Sequence, residues 1–212
     1  MKSFNNAQSC EVNINVKSYR TFSDGQKLGS DITANIKQVN IGEEDAEMAS
    51  VAGGYDLGQT YDAKTYYKDG YFYISMEGKK VKMHMPLEEV AGISDIPAPI
   101  NDWPESTIKN QQVKGNTLYF TLDGSALSSF IDISSLGSSD DGTGPDDMDI
   151  GDIHITVILD NNELNTLNYN LSVKIVENGQ PVIISYDRTM KVTKIDNITI
   201  TFPSDLDSYE EI

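Results

Sequence analysis

A mainly β (α+β), antiparallel fold is predicted for this 212-residue chain by three features of its sequence. Turn-forming pairs stand between runs of alternating apolar residues: Asp69-Gly70 and Glu77-Gly78 in the first half, Asn161-Asn162, Asn178-Gly179 and Asp196-Asn197 in the second. The apolar residues recur with period two, the signature of a half-buried strand. Helical periodicity is confined to two short stretches.

The first strand is read at Cys10 to Val16, where Cys10, Val12, Ile14 and Val16 alternate, and a second at Ile32 to Ile36. Asp69-Gly70 suits a two-residue type I′ turn, in which both central residues take positive φ. Closing it between Lys68 and Tyr71 pairs Tyr67 with Phe72 and Thr65 with Ile74. Glu77-Gly78 then pairs Ile74 with Val81 and Phe72 with Met83. A three-strand meander results, with Tyr67, Phe72, Ile74, Met76, Val81, Met83 and Met85 on one face. Its other face carries Tyr66, Tyr71, Tyr73, Lys80, Lys82 and His84, and reads as an exposed polar and aromatic surface.

Pro86 to Ala91 reads as a helical turn or two, since proline suits a first helical position and Gly92 a stop. Leu118 to Leu122 reads as a strand. Leu127, Phe130 and Ile131 then fall at i, i+3 and i+4, the spacing of a short amphipathic helix that Asp123 or Ser125 can cap.

In the second half, a turn at Asn178-Gly179 closed between Glu177 and Gln180 sets Ile175 opposite Val182, Val173 opposite Ile184 and Leu171 opposite Tyr186. A three-residue loop over Asn161 to Glu163 sets Val157 opposite Leu167, Ile155 opposite Tyr169 and Ile153 opposite Leu171. A plain two-residue turn would set Val157 against Thr166, and a one-residue slip turns the apolar set to the wrong face. A last strand is read at Ile198 to Phe202, after Asp196-Asn197.

The chain carries 33 acidic and 16 basic residues, a net charge of −17. Such a balance repels a phosphate backbone, so nucleic acid and direct adsorption to anionic lipid headgroups are disfavoured. No apolar run reaches the ~18 residues of a membrane span. Residues 1–6 hold one Lys and no apolar core of a signal peptide. The Pro-rich run Ile96 to Pro104 and the Gly/Asp-rich run Gly137 to Gly151 read as long loops, and residues 1–212 as one domain.

Catalytic signatures are lacking: there is no Gly-x-Ser-x-Gly, and no serine stands out. The lone Cys10 sits among strand apolars and reads as a small buried hydrophobe. His84 and His154 lie on separate strands without a Cys, Asp or Glu at ligand spacing. Asp140, Asp141, Asp146, Asp147, Asp149 and Asp152 fall within thirteen residues. Clustered carboxylates are what Ca²⁺ takes, which makes Asp146, Asp147 and Asp149 the candidate metal ligands. EF-hand spacing is absent, because Gly151 comes one position early and no Glu closes the loop. A solvated loop is the plain alternative. No cofactor is implied.

The stretch TYYKDGYFYISMEGKKVKMHMPLEEV, Thr65 to Val90, resembles the central strands of Gram-positive lipoproteins of the LolA/LppX-like superfamily. There a Tyr-rich strand, a Lys-Asp-Gly turn and a Gly-x-Lys-x-Lys-Met strand follow in this order. LDGSALSSFI, Leu122 to Ile131, resembles their plug-like helix, and FPSDLDSYEE, Phe202 to Glu211, their C-terminal close. The resemblance implies a single curved antiparallel sheet, a half-barrel, with one or two short helices on its concave face. It also implies a secreted protein, extracellular or anchored at the cell surface, that takes a lipid or lipidated partner between sheet and helices. In this chain the leader and the lipidated cysteine of that pattern are not found, and Cys10 does not match the anchoring position because it belongs to a strand.

The function expected is therefore a non-enzymatic cell-envelope lipoprotein domain, with Phe72, Ile74, Met76, Val81, Met83, Met85 and Phe130 as candidate apolar ligand-binding residues. Flexible methionines suit a variable apolar guest. The second reading is an extracellular interaction domain that uses Tyr66, Tyr71, Tyr73 and an acidic, Ca²⁺-binding loop. Exposed sheet edges also offer a route to dimers by strand addition.

Overall fold

The computed structural model describes residues 7–87, 89–90, 105–124, 149–177 and 179–212. Six strands make the first half: β1 (Ser9–Thr21), β2 (Lys27–Val39), β3 (Glu47–Asp56), β4 (Gln59–Lys68), β5 (Tyr71–Met76) and β6 (Lys79–His84). Seven follow: β7 (Ile108–Lys114), β8 (Thr117–Leu122), β9 (Asp149–Ile150), β10 (Ile153–Asp160), β11 (Glu163–Glu177), β12 (Gln180–Ile195) and β13 (Glu210–Glu211). All thirteen belong to one sheet, large, curved and open, in the order β13-β6-β5-β4-β3-β2-β1-β12-β11-β10-β8-β7, with β9 pairing β11.

Two meanders are thus joined edge to edge through β1 and β12. Ile14 lies opposite Met190 and Val12 opposite Val192, while Thr193 bulges out and its hydroxyl donates to the Glu11 carbonyl at 3.0 Å. The hairpins come from their turns. Asp69 and Gly70 have φ of 53° and 78°, Glu77 and Gly78 of 51° and 77°. The pairs Thr65–Ile74, Tyr67–Phe72, Ile74–Val81 and Phe72–Met83 are the expected ones. So are Ile175–Val182, Val173–Ile184 and Leu171–Tyr186.

At Asn161-Asn162 the expected pairs Val157–Leu167 and Ile155–Tyr169 are present, but the three-residue loop is not. Asp160 pairs with Glu163 across a two-residue turn whose asparagines have φ of 49° and 65°. Leu159 then pairs with Leu164 and Ile158 with Thr166, leaving Asn165 as a bulge. The extra residue resets the alternation. Leu164 and Leu167 both turn inward, and both are buried.

The strand expected at Ile198 to Phe202 does not form. Asp196 and Asn197 do take positive φ, of 58° and 53°. However, the free edge of β12 is already occupied by β1, so the chain after the turn has no ladder to join. It crosses instead to the outer face of β4, β5 and β6, where β13 adds to β6 in parallel, the one parallel pair among the described strands. Strand β3 has no counterpart in the sequence reading, because Gly53-Gly54 looks like a loop. A Cβ at Gly54 would stand 2.1 Å from the Asp31 carbonyl oxygen, so only glycine lets β3 approach β2 there.

The core lies on the inner face. Val12, Ile14, Ile36, Met48, Tyr67, Phe72, Phe120, Leu122, Ile155, Val157, Leu167 and Met190 form one buried cluster spanning both meanders. A single helical turn packs on it: the Glu89 and Val90 amides both donate to the Pro86 carbonyl, and Val90 is buried. Of the one or two short helices expected on the concave face, the described residues hold this turn and, of the second, Gly124. Leu127, Phe130 and Ile131 lie outside the described residues.

Candidate functional site

Each strand offers alternate side chains to the inner face, so the register decides what a guest would meet. Met48, Tyr67 and Phe72 stand side by side across β3, β4 and β5. Gln38 extends the same row onto β2, opposite Met48, and Cys10 onto β1, opposite Gln38. Above this row lie Leu87 and Val90 of the helical turn. Between turn and strands opens a cleft of about 390 Å³, lined by Gln38, Val39, Met48, Tyr67, Leu87 and Val90 with Ile41, Gly42, Ala46 and Glu47 of the β2–β3 connection. The size falls at the lower end of small-molecule pockets, ~300–1,000 Å³.

Among the candidate apolar residues, Phe72 is buried in the core cluster, and Ile74, Met83 and Met85 pack against it. Val81 is half-buried, while Met76 is exposed at the end of β5. None of these lines the cleft, whose strand wall is formed by β2, β3 and β4. Phe130 lies outside the described residues. Gln38 and Met48 were missed because the strand signal at β2 stopped at Ile36 and β3 was not recognised. Continuing the alternation Ile32, Ala34, Ile36 by one step would have reached Gln38.

Polar chemistry in the cleft is sparse. The Cys10 thiol points at Gln38 Oε1 across 3.8 Å, and burial pushes its pKa up to about 11. The Glu47 carboxylate is held by Lys68 at 3.0 Å. Elsewhere on the inner face Arg188 is buried, one Nη donating to the Tyr169 hydroxyl at 3.2 Å with the guanidinium over that ring. A charge inside the alternating run Val182, Ile184, Tyr186, Met190, Val192 was the signal that marks it. Of the expected Ca²⁺ ligands, Asp146 and Asp147 lie outside the described residues. Asp149 is exposed on β9, 4.0 Å from Lys174. Among the described residues no group of three or more His, Cys, Asp or Glu side chains is placed to hold a metal.

The outer face differs from its expected exposure. Tyr66 is buried, with the Phe202 ring 6.2 Å away, and Tyr73 meets Tyr209 edge-on at 5.5 Å. Lys80 pairs with Asp205 and Lys82 with Glu211, and the Ile212 amide donates to the Lys82 carbonyl at 3.0 Å. The C-terminal segment therefore covers Tyr66 and Tyr73, two of the three tyrosines that the second reading needed, while Tyr71 packs on His84. A wider, more open hollow of about 720 Å³ lies further along this face, lined by polar residues such as Asn13, Asn35, Thr33, Asp62 and Lys191. Ile14, Ala34, Val51, Ala52 and Tyr61 line it as well.

Open curved sheet, apolar inner face and cleft define a trough-shaped β fold. Solved structures similar to it include lipoprotein LppX of Mycobacterium tuberculosis, at 10% identity and TM-score 0.46, covering 94% of this chain and 92% of that one. LprF from Mycobacterium bovis is similar at 12% identity and TM-score 0.38, covering 92% and 89%. A LolA superfamily protein from Nitrosomonas europaea is similar at 8% identity and TM-score 0.26, covering 89% and 87%. No protein-family model matches the chain, and no curated protein sequence matches it.

Proposed function

We propose that the chain is a non-enzymatic carrier domain that holds an apolar guest, a lipid or the lipid moiety of a partner, against the inner face of its sheet. The observation that carries this reading is the 390 Å³ cleft between the helical turn and the row Gln38, Met48, Tyr67. Its walls are mostly apolar, Phe72 beside Tyr67 carries the apolar row on to β5, and removing such surface from water contributes ~25 cal/mol per Å². In this reading residues 1–212 act as one unit, because β1 and β12 join both meanders in one sheet, and the domain works at the cell surface. The one thiol is buried and its pKa raised, so it is no thiolate near neutral pH.

The test is uptake of N-phenyl-1-naphthylamine, a neutral dye that brightens in apolar surroundings, together with mass spectrometry of an organic extract of the purified chain. Saturable uptake at one site per chain is expected, and Leu87→Trp, which fills the cleft, should weaken it at least tenfold. Absence of both uptake and extractable lipid would overturn the reading.

A further inference from the structure

The polar side chains that line the cleft are Gln38, Glu47 and the Tyr67 phenol. Glu47 is tied to Lys68 at 3.0 Å, so neither its charge nor the lysine's is available to a guest. Gln38 is different. It lies on the inner face beside Cys10 and Met48, and its carbonyl oxygen faces a thiol at 3.8 Å, a long and weak contact. Its amide N–H groups have no partner among the described residues, and the half-buried side chain lines the cleft. Water reaches that amide while the cleft is empty, so a guest that displaces the water must offer it an acceptor or leave it unsatisfied.

We infer that Gln38 is the specificity residue of the cleft, and that the guest is a single-chain amphiphile with an uncharged hydrogen-bonding head, a hydroxyl or ester, set against the Gln38 amide. This rests on the carrier reading above. The head must be uncharged because, among the described residues, no cation lines the cleft to meet a carboxylate, and the protein's net charge of −17 opposes an anion from outside. A hydroxyl or ester oxygen accepts from the amide N–H at the end where the thiol leaves it room. The small volume admits one chain, with its tail lying along Met48, Leu87 and Val90.

Competition against bound N-phenyl-1-naphthylamine at pH 8 separates the two readings. Octan-1-ol, 1-chlorooctane and octanoate share a chain length and differ in the head. For the unmodified chain, octan-1-ol is expected to displace the dye well, and octanoate at least tenfold less well. In Gln38→Leu, measured against the variant's own dye affinity, octan-1-ol should weaken roughly three- to tenfold, as loss of one hydrogen bond implies, and 1-chlorooctane less than twofold. In Gln38→Glu the preference should pass to octylammonium. Dye uptake with octan-1-ol unaffected by Gln38→Leu, or with octanoate competing as well as octan-1-ol, overturns the role of Gln38 and leaves the carrier reading standing. No dye uptake by the unmodified chain overturns both.

Discussion

The ring of Tyr209 meets that of Tyr73 edge-on, with centroids 5.5 Å apart and planes at 81°, and so fastens the C-terminal segment to the outer face of β5. Tyr209 is buried and comes from a stretch with little secondary structure of its own, Leu206–Ser208 forming a single 3₁₀ turn. One buried aromatic thus anchors the segment that covers the meander. Tyr209→Ala should destabilise the chain by about 3 kcal/mol, the usual cost of truncating a buried aromatic, while Tyr209→Phe should cost under ~1 kcal/mol. Urea unfolding followed by circular dichroism measures both, and hydrogen exchange should quicken first in residues 205–212 of the alanine variant.

The same segment has a pH signature. The Lys80 ammonium holds the Asp205 carboxyl below its usual range, and the hydrogen bond from Lys80 raises the lysine in turn. A depressed carboxyl contributes stability that is complete above its unfolded pKa, ~3.9, and is lost as pH falls through the lower folded value. The raised lysine contributes below its unfolded pKa, ~10.4, and loses its share as pH rises through the folded value. Hydrogen-exchange protection of Tyr209, corrected for intrinsic rates, should be flat from about pH 5 to 9 and fall below about pH 4. Asp205→Asn should remove the acid limb of that profile, with a small effect at neutrality because both groups are exposed.

Cys10 is expected to be inert. Its buried thiol, with a pKa near 11, should resist iodoacetamide in the folded chain at pH 8 and react fully in urea. Intact mass after timed quenching gives the comparison, and rapid alkylation of the folded chain would contradict the burial seen in β1.

Asn165 is the residue that the β10–β11 hairpin can spare. Removing it should leave the two-residue turn in place and make the ladder continuous from Leu159–Leu164 to Val157–Leu167, with both leucines still inward. The deletion should cost less than about 1 kcal/mol, in the range of a tolerated surface change. A loss of several kcal/mol in urea unfolding would mean that the bulge supports more than the alternation.

Where neighbouring strands are joined by a short turn, local chemistry was enough to read the register. Asp69-Gly70, Glu77-Gly78 and Asn178-Gly179 each favour one turn geometry, and each turn sets a ladder whose apolar residues confirm it. The β10–β11 hairpin shows the limit. Both a three-residue loop and a turn plus bulge bring Leu167 opposite Val157, and only the packing of Leu164 into the core separates them. The cleft was less legible than the first meander's apolar face. Phe72, Ile74, Met83 and Met85 announce themselves by alternation, but Gln38 and Met48 reach the site through β2–β3 and β3–β4 pairings across a Gly-rich strand.

From its sequence alone this protein was determined to be a strand-built, acidic chain whose hairpins pair in particular registers and turn their apolar residues to one side. Those properties follow from φ preferences and period-two alternation, which act over a few residues. Tertiary structure alone decided that β1 pairs β12, denying the segment after Asp196-Asn197 a place in the ladder. It likewise decided that this segment covers Tyr66 and Tyr73, and that a cleft remains between the helical turn and Gln38. Pairings between residues more than 170 apart depend on which edges and faces remain uncovered once the local ladders have formed, and no short stretch of sequence carries that information.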